Sequence, residues 1–119
     1  DGCATGEARI TAAYGLRARY VIHTPGPIFG EHGGEEAALL GSCYREALRV
    51  GREHGCASFA FPAISCGVYG YPHRDAARVA LQACAEAMKN DDGIERVLFV
   101  LFGAPMHEIF REELVRLSD

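Results

Sequence analysis

The sequence predicts a layered α/β domain with a largely parallel sheet, and three observations predict it. Short β-branched or aromatic runs alternate with longer segments whose apolar residues recur every three or four positions, in the order strand, strand, helix, strand, helix, strand, helix. At 119 residues the chain has the size of one ordinary domain, spanning 1–119. With 49% apolar and 24% charged residues, it has the balance of a globular protein built on a single core.

Taken in order, Asp1 to Gly6 is turn-like, and Ala8 to Ala12 alternates small or apolar with polar residues as a half-exposed strand does. Tyr14-Gly15-Leu16 is expected to turn the chain into Tyr20 to Thr24, a β-branched run of strand type in which His23 is expected to be buried, neutral and bonded to a backbone carbonyl. Pro25-Gly26-Pro27 stops that strand, and Ile28 to Gly34 reads as a loop with adjacent glycines. From Glu35 to His54, Leu40, Cys43, Tyr44, Ala47, Leu48 and Gly51 mark one helical face; Glu35 and Glu36 suit the first turn, Arg52 and His54 the last. Gly55 is a natural stop.

Ala57 to Ile64 is apolar at most positions, as a strand covered on both faces would be. Pro72 to Lys89 is expected to be an alanine-rich helix packed closely on the sheet, ended by the turn signal Asn90 to Gly93. Val97 to Phe102 reads as a buried strand. A last helix follows from Gly103-Ala104-Pro105, with Ile109, Phe110, Leu114 and Leu117 at core spacing.

Composition excludes several classes of function. The formal charge is −4, from 12 basic and 16 acidic residues, and the basic ones are scattered, which argues against nucleic acid as a partner. No apolar run approaches the roughly 20 residues that span a bilayer, and the sequence opens without a charged-then-apolar leader. The five cysteines form no C-x-x-C pair, so neither a disulfide framework nor a structural zinc site is expected, and Cys43 and Cys84 fall on apolar helix faces. The expected setting is the cytoplasm.

The stretch that carries chemistry is Phe61 to Pro72. A strand runs into Ser65-Cys66-Gly67-Val68-Tyr69-Gly70, and a helix is expected to start at the proline: strand, glycine loop and helix start together offer bare N–H groups to an anion such as a diphosphate. In an open α/β sheet, ligands bind at the carboxyl ends of strands. The turns after three strands, Thr24 to Pro27, Ser65 to Tyr71 and Phe102-Gly103, are therefore expected side by side, with Tyr69 offering an aromatic face to a sugar and Phe102 one to a base. The simpler alternative is an ordinary strand-to-helix connection in which Gly67 and Gly70 relieve strain.

Other chemistries fit less well. Neither G-K-[ST] nor G-x-G-x-x-G is present at the loop. Ala63 to Gly67 departs by one residue from the G-x-S-x-G nucleophile elbow, and the expected helix starts too late to strain Ser65. Cys66 with His73 could make a thiol nucleophile and base, though a small loop cysteine is more often there for its size.

Together these segments resemble the macro domain family, and within it the branch acting on mono-ADP-ribosyl groups and O-acetyl-ADP-ribose. The similar stretches are Thr5 to Thr11, Tyr20 to Pro27 and Phe61 to Pro72, supported by Ser42 to Arg45 and Leu98 to Phe102. The resemblance implies a three-layer α/β/α domain with a mixed sheet that binds ADP-ribose, or an ADP-ribosylated protein, with no metal or cofactor. It implies further that Ser65, Cys66, Gly67, Val68, Tyr69 and Gly70 form the diphosphate loop, that Tyr69 lies against the distal ribose and that Phe102 lies near the adenine. Cys66 stands where the family more often has threonine, a change that leaves the backbone donors intact.

The departure is at the front. The family's adenine-recognising aspartate, an asparagine-bearing strand and the glycine-rich loop with the catalytic aspartate all precede the segment at Thr5, and none is in this chain. The expectation is therefore a C-terminal portion of the family pattern with an interrupted sheet. Its activities would be ADP-ribose binding and, in complete form, hydrolysis of ADP-ribosyl esters or O-acetyl-ADP-ribose; a non-catalytic ADP-ribose reader is the alternative.

Overall fold

The structure, a computed structural model, describes residues 2–12 and 19–118. The elements are β1 (Arg9–Ala12), β2 (Tyr20–His23), α1 (Glu36–Glu53), β3 (Ser58–Phe61), α2 (His73–Asn90), β4 (Arg96–Phe99) and α3 (Ala104–Ser118), in the order the sequence predicts. The turn expected at Tyr14-Gly15-Leu16 lies outside the described residues.

The strands form two pairs. β1 and β2 are antiparallel, with Ile10 opposite Ile22, and β3 and β4 are parallel, with Phe61 opposite Phe99, which makes the architecture mixed. Among the described residues β2 and β3 do not pair. An apolar groove of about 360 Å³ lies between them, lined by Tyr20, Val21 and Ile22 on one side and by Ser58 to Phe61 on the other, with Ala47 of α1 among its walls. The groove is the interruption that the sequence leads one to expect.

The three helices form one layer. Tyr44 of α1 meets Phe61 edge-on at 5.0 Å between ring centroids, Phe110 of α3 meets Phe99 at 5.2 Å, and α2 packs against both α1 and α3. Alanines 76, 77, 80 and 83 on the buried face of α2 allow that close approach. Every apolar position assigned to the buried face of α1 is buried, Cys43 among them, and Cys84 of α2 is buried likewise.

This one-sided layer corrects four expectations. β3 alternates exposed and buried residues instead of being covered on both faces. In and after β4, Leu98 and Val100 are exposed while Val97 and Phe99 are half-buried. On α3 only Phe110 of the apolar set is fully buried: Leu114 is exposed, and Leu117 edges an open surface cavity that it shares with Arg78 and Leu81 of α2. His23 is exposed and meets the Thr11 hydroxyl at 3.3 Å in place of a backbone carbonyl. The physical reason is shared for the strand residues: successive side chains point to opposite faces, and here only one face meets helices.

Polar contacts fasten the layer. The carboxylate of Glu113 on α3 accepts from Arg74 at 2.8 Å and Arg78 at 3.2 Å on α2, and from Arg116 at 3.0 Å on its own helix. Those hydrogen bonds, that to Arg74 foremost, hold its carboxyl below the ordinary range. Arg52 near the end of α1 donates to Asp91 at 2.9 Å, with the same effect on Asp91.

Two outcomes are expected. A side chain at Gly51 would overlap the Phe59 ring and crowd Ile22, so Gly51→Ala should lower stability by about 1–3 kcal/mol in urea unfolding through overpacking. Because Glu113 and Asp91 have native pKa values below their unfolded ones, their stabilisation is complete above about pH 4–4.5 and is lost as pH falls through the native values. The urea midpoint should accordingly drop between pH 6 and pH 3, and Glu113→Gln should shrink that drop.

Candidate functional site

The site is built where β3 ends. Pro62 has no N–H to continue a ladder, so the strand stops at Phe61. The two peptide groups that follow are taken up by one buried side chain: the Tyr44 hydroxyl donates to the Pro62 carbonyl at 3.3 Å and accepts from the Ile64 N–H at 3.2 Å. Burial pushes that hydroxyl above the ordinary tyrosine range, which keeps it a neutral donor.

Ser65 then takes a φ of 67°, in the left-handed region that side-chain-bearing residues seldom occupy and that costs on the order of 1–3 kcal/mol. Its Oγ is buried and has no hydrogen-bond partner among the described residues. From there the loop closes on itself. Cys66 N–H donates to Ala63 at 3.3 Å, Gly70 N–H to Gly67 at 3.0 Å and Tyr71 N–H to Ser65 at 3.0 Å. Gly70 has a φ of 72°, and Pro72 is extended, so α2 starts at His73.

These internal bonds sharpen the assignment of donors. Cys66 and Gly70 spend their N–H groups inside the loop. Gly67, Val68 and Tyr69 present three successive N–H groups that have no partner among the described residues, on a tip where Val68 is 100% exposed. Consecutive free N–H groups at an exposed turn form a concave anion receptor.

The neighbouring turns stand as the sequence predicts. Gly26 lies so close to Ser65 and Ile64 that a Cβ there would overlap both, which brings the Thr24–Pro27 turn against the loop. That turn is itself anchored: the Pro25 carbonyl accepts the Gly6 N–H at 3.0 Å and the Cys43 thiol at 3.4 Å. On the other side, Phe102 is 90% exposed and lines a cavity of about 390 Å³ together with Cys66, Gly67 and His73. Tyr69 does not line that cavity; its carbonyl accepts the Phe29 N–H at 2.9 Å.

The thiol-nucleophile alternative loses its geometry. Burial pushes the Cys66 thiol above its ordinary value, and His73 Nε2 donates to the Cys66 carbonyl at 3.0 Å, not to its sulfur. The serine elbow fails too, since α2 begins well beyond Ser65. Among the described residues no three His, Cys, Asp or Glu side chains are arranged to hold a metal ion.

Sequence reasoning missed Glu36 and Phe29. Glu36 is 7% exposed, and its Oε2 accepts the N–H groups of Gly30 at 3.0 Å and His32 at 3.1 Å. The ring of Phe29 packs edge-on against Tyr71 at 5.0 Å. The adjacent Gly33 and Gly34 ahead of a first-turn glutamate were the available signal.

An α/β domain that gathers its strand-end turns around a backbone anion receptor, beside an aromatic-edged cavity, belongs to a class of ligand-binding domains. The Macro domain family matches residues 1–80. A macro domain-containing protein of Chlorobaculum tepidum is 46% identical over 115 residues, covering 95% of this chain and 66% of that protein. The ADP-ribose glycohydrolase MACROD1 of Bos taurus is 46% identical over 116 residues, covering 96% and 36%. The solved Oceanobacillus iheyensis macrodomain with ADP superposes at a TM-score of 0.93 with 39% identity, covering 97% of this chain and 60% of that one. The chain belongs to the macro domain family. Its fold is the macrodomain fold, the described residues supplying the strands and one helical layer of a three-layer α/β/α arrangement, and it spans under two thirds of the length of each of these relatives.

Tyr44→Phe removes the group that satisfies Pro62 and Ile64 at the mouth of the loop. It should cost about 0.5–1.5 kcal/mol of unfolding free energy, measured in urea, because two part-buried peptide groups lose their side-chain partner.

Proposed function

We propose that this chain binds ADP-ribose. The carrying observation is the run of three free N–H groups at Gly67, Val68 and Tyr69, next to a cavity edged by the exposed Phe102 ring. In this reading the diphosphate sits on the Ser65–Gly70 loop, the adenine lies against Phe102 and the distal ribose lies on the Tyr69 side. The affinity for the anion comes from backbone donors fixed before the ligand arrives, so little ordering is required on binding. A relative solved with ADP and another named as an ADP-ribose glycohydrolase support the substrate class.

The enzymatic part of the proposal concerns the complete polypeptide. There the bound ADP-ribosyl ester or O-acetyl-ADP-ribose would be hydrolysed by a water held between distal ribose and diphosphate, assisted by an aspartate outside these residues. This chain's own contribution is placement of the substrate. The second reading is a reader that binds without turnover, which needs only the free N–H groups of Gly67 to Tyr69 and the exposed Phe102 ring and no catalytic side chain. The five unpaired cysteines support a reducing compartment such as the cytoplasm.

Titration calorimetry with ADP-ribose tests the binding, and the same sample incubated with O-acetyl-ADP-ribose and with a mono-ADP-ribosylated protein tests turnover. Saturable binding is expected, and Phe102→Ala should weaken it by about 1–3 kcal/mol, the usual range for one base on an aromatic ring. Binding without turnover selects the reader. A folded sample that binds no ADP-ribose overturns both.

A further inference from the structure

We propose that Glu36 is a positioning residue for the ligand loop, acting at a distance through Phe29. The inference rests on the ADP-ribose reading for its functional readout, and on hydrogen bonds of this chain for its geometry.

Glu36 stands in the first turn of α1, where the positive end of the helix dipole favours a carboxylate. A side chain serving only that dipole would point to solvent. This one is folded back: a single oxygen, Oε2, takes the N–H groups of Gly30 and His32, while His32 also accepts the Glu35 N–H at 3.0 Å through its carbonyl. The segment so held contains Gly30, Gly33 and Gly34, all with positive φ, and a chain so rich in glycine has no preferred path of its own. The carboxylate therefore selects the path.

Phe29 converts the path into a constraint on the site. Its N–H donates to the Tyr69 carbonyl, and the very next N–H, that of Gly30, is the one Glu36 holds. The Phe29 ring rests edge-on against Tyr71, whose N–H closes the loop on Ser65. One side chain of α1 is thus linked by successive hydrogen bonds to the peptide unit beside the Gly67–Tyr69 receptor. Loss of the carboxylate frees Gly30, lets Phe29 leave Tyr69, and loosens the receptor before any ligand contact is touched.

The test compares Glu36→Ala, Phe29→Ala, the double variant and Glu36→Gln, each by ADP-ribose calorimetry, thermal melting and amide NMR of the ligand-free protein. Glu36→Ala is expected to weaken ADP-ribose binding about tenfold and to shift the amide resonances of Gly67, Val68 and Tyr69. Because Phe29→Ala removes the ring contact and keeps the backbone N–H, the double variant should weaken binding by less than the sum of the two single effects, the partial non-additivity of two residues on one route. Glu36→Gln keeps an acceptor oxygen and should recover most of the affinity. The proposal is overturned if Glu36→Ala lowers the melting temperature but leaves affinity and those amides unchanged, or if the two substitutions simply add. If the unsubstituted chain binds no ADP-ribose, that reading falls by itself, and the amide shifts alone decide whether Glu36 governs the loop.

Discussion

The Tyr44 hydroxyl is the contact on which the rest depends. Its ring lies in the core against Phe61 and Phe99, and its oxygen reaches the two peptide groups where β3 gives way to the loop. A strand that stops at a proline beside a helix leaves part-buried polar groups without a ladder partner, and a typical hydrogen bond that satisfies one contributes about 0.5–1.5 kcal/mol. One phenol answers both. The same side chain that closes the core thereby fixes the point from which the loop starts, so packing and site geometry are set together.

That coupling explains why the site can be built from backbone. Ser65 is held at a positive φ that it would not choose in isolation. It is held there by the bond from Tyr71, by the internal turn from Gly67 to Gly70 and by Gly26 pressed against it. The strain is local and the restraint comes from neighbouring elements. Three N–H groups are left pointing to no protein acceptor among the described residues, and they are ordered before any anion is present.

Much of this was legible in the sequence. The order of elements followed from the change of period between Tyr20–His23 and the face of Leu40, Tyr44, Ala47 and Leu48, and the glycine loop was evident from its spacing. What could not be read was coverage. A run such as Val97 to Phe102 has the same composition whether helices lie on one face or two, and only the placement of α1 and α3 shows that Leu98 and Val100 are bare. Glu36 was hidden for a different reason: its partners are backbone groups of Gly30 and His32, and backbone carries no signature in the sequence.

The groove between β2 and β3 then acquires a definite meaning for the site. β3 bonds to the β4 side through the carbonyls of Ala57 and Phe61, residues of one parity. In a parallel ladder the residues between them, Ser58 and Ala60, turn their peptide groups the other way, into the groove. The two strand pairs are therefore joined by no ladder among the described residues. They are joined instead by α1, through Gly51 against Phe59 and Ile22, and at the rim by Gly26 against Ser65. The distance between the Thr24–Pro27 turn and the ligand loop is consequently set by the packing of α1 together with the direct contact of Gly26 on Ser65. A substitution that shifts α1 moves one wall of the site relative to the other, even if every residue of the loop is untouched.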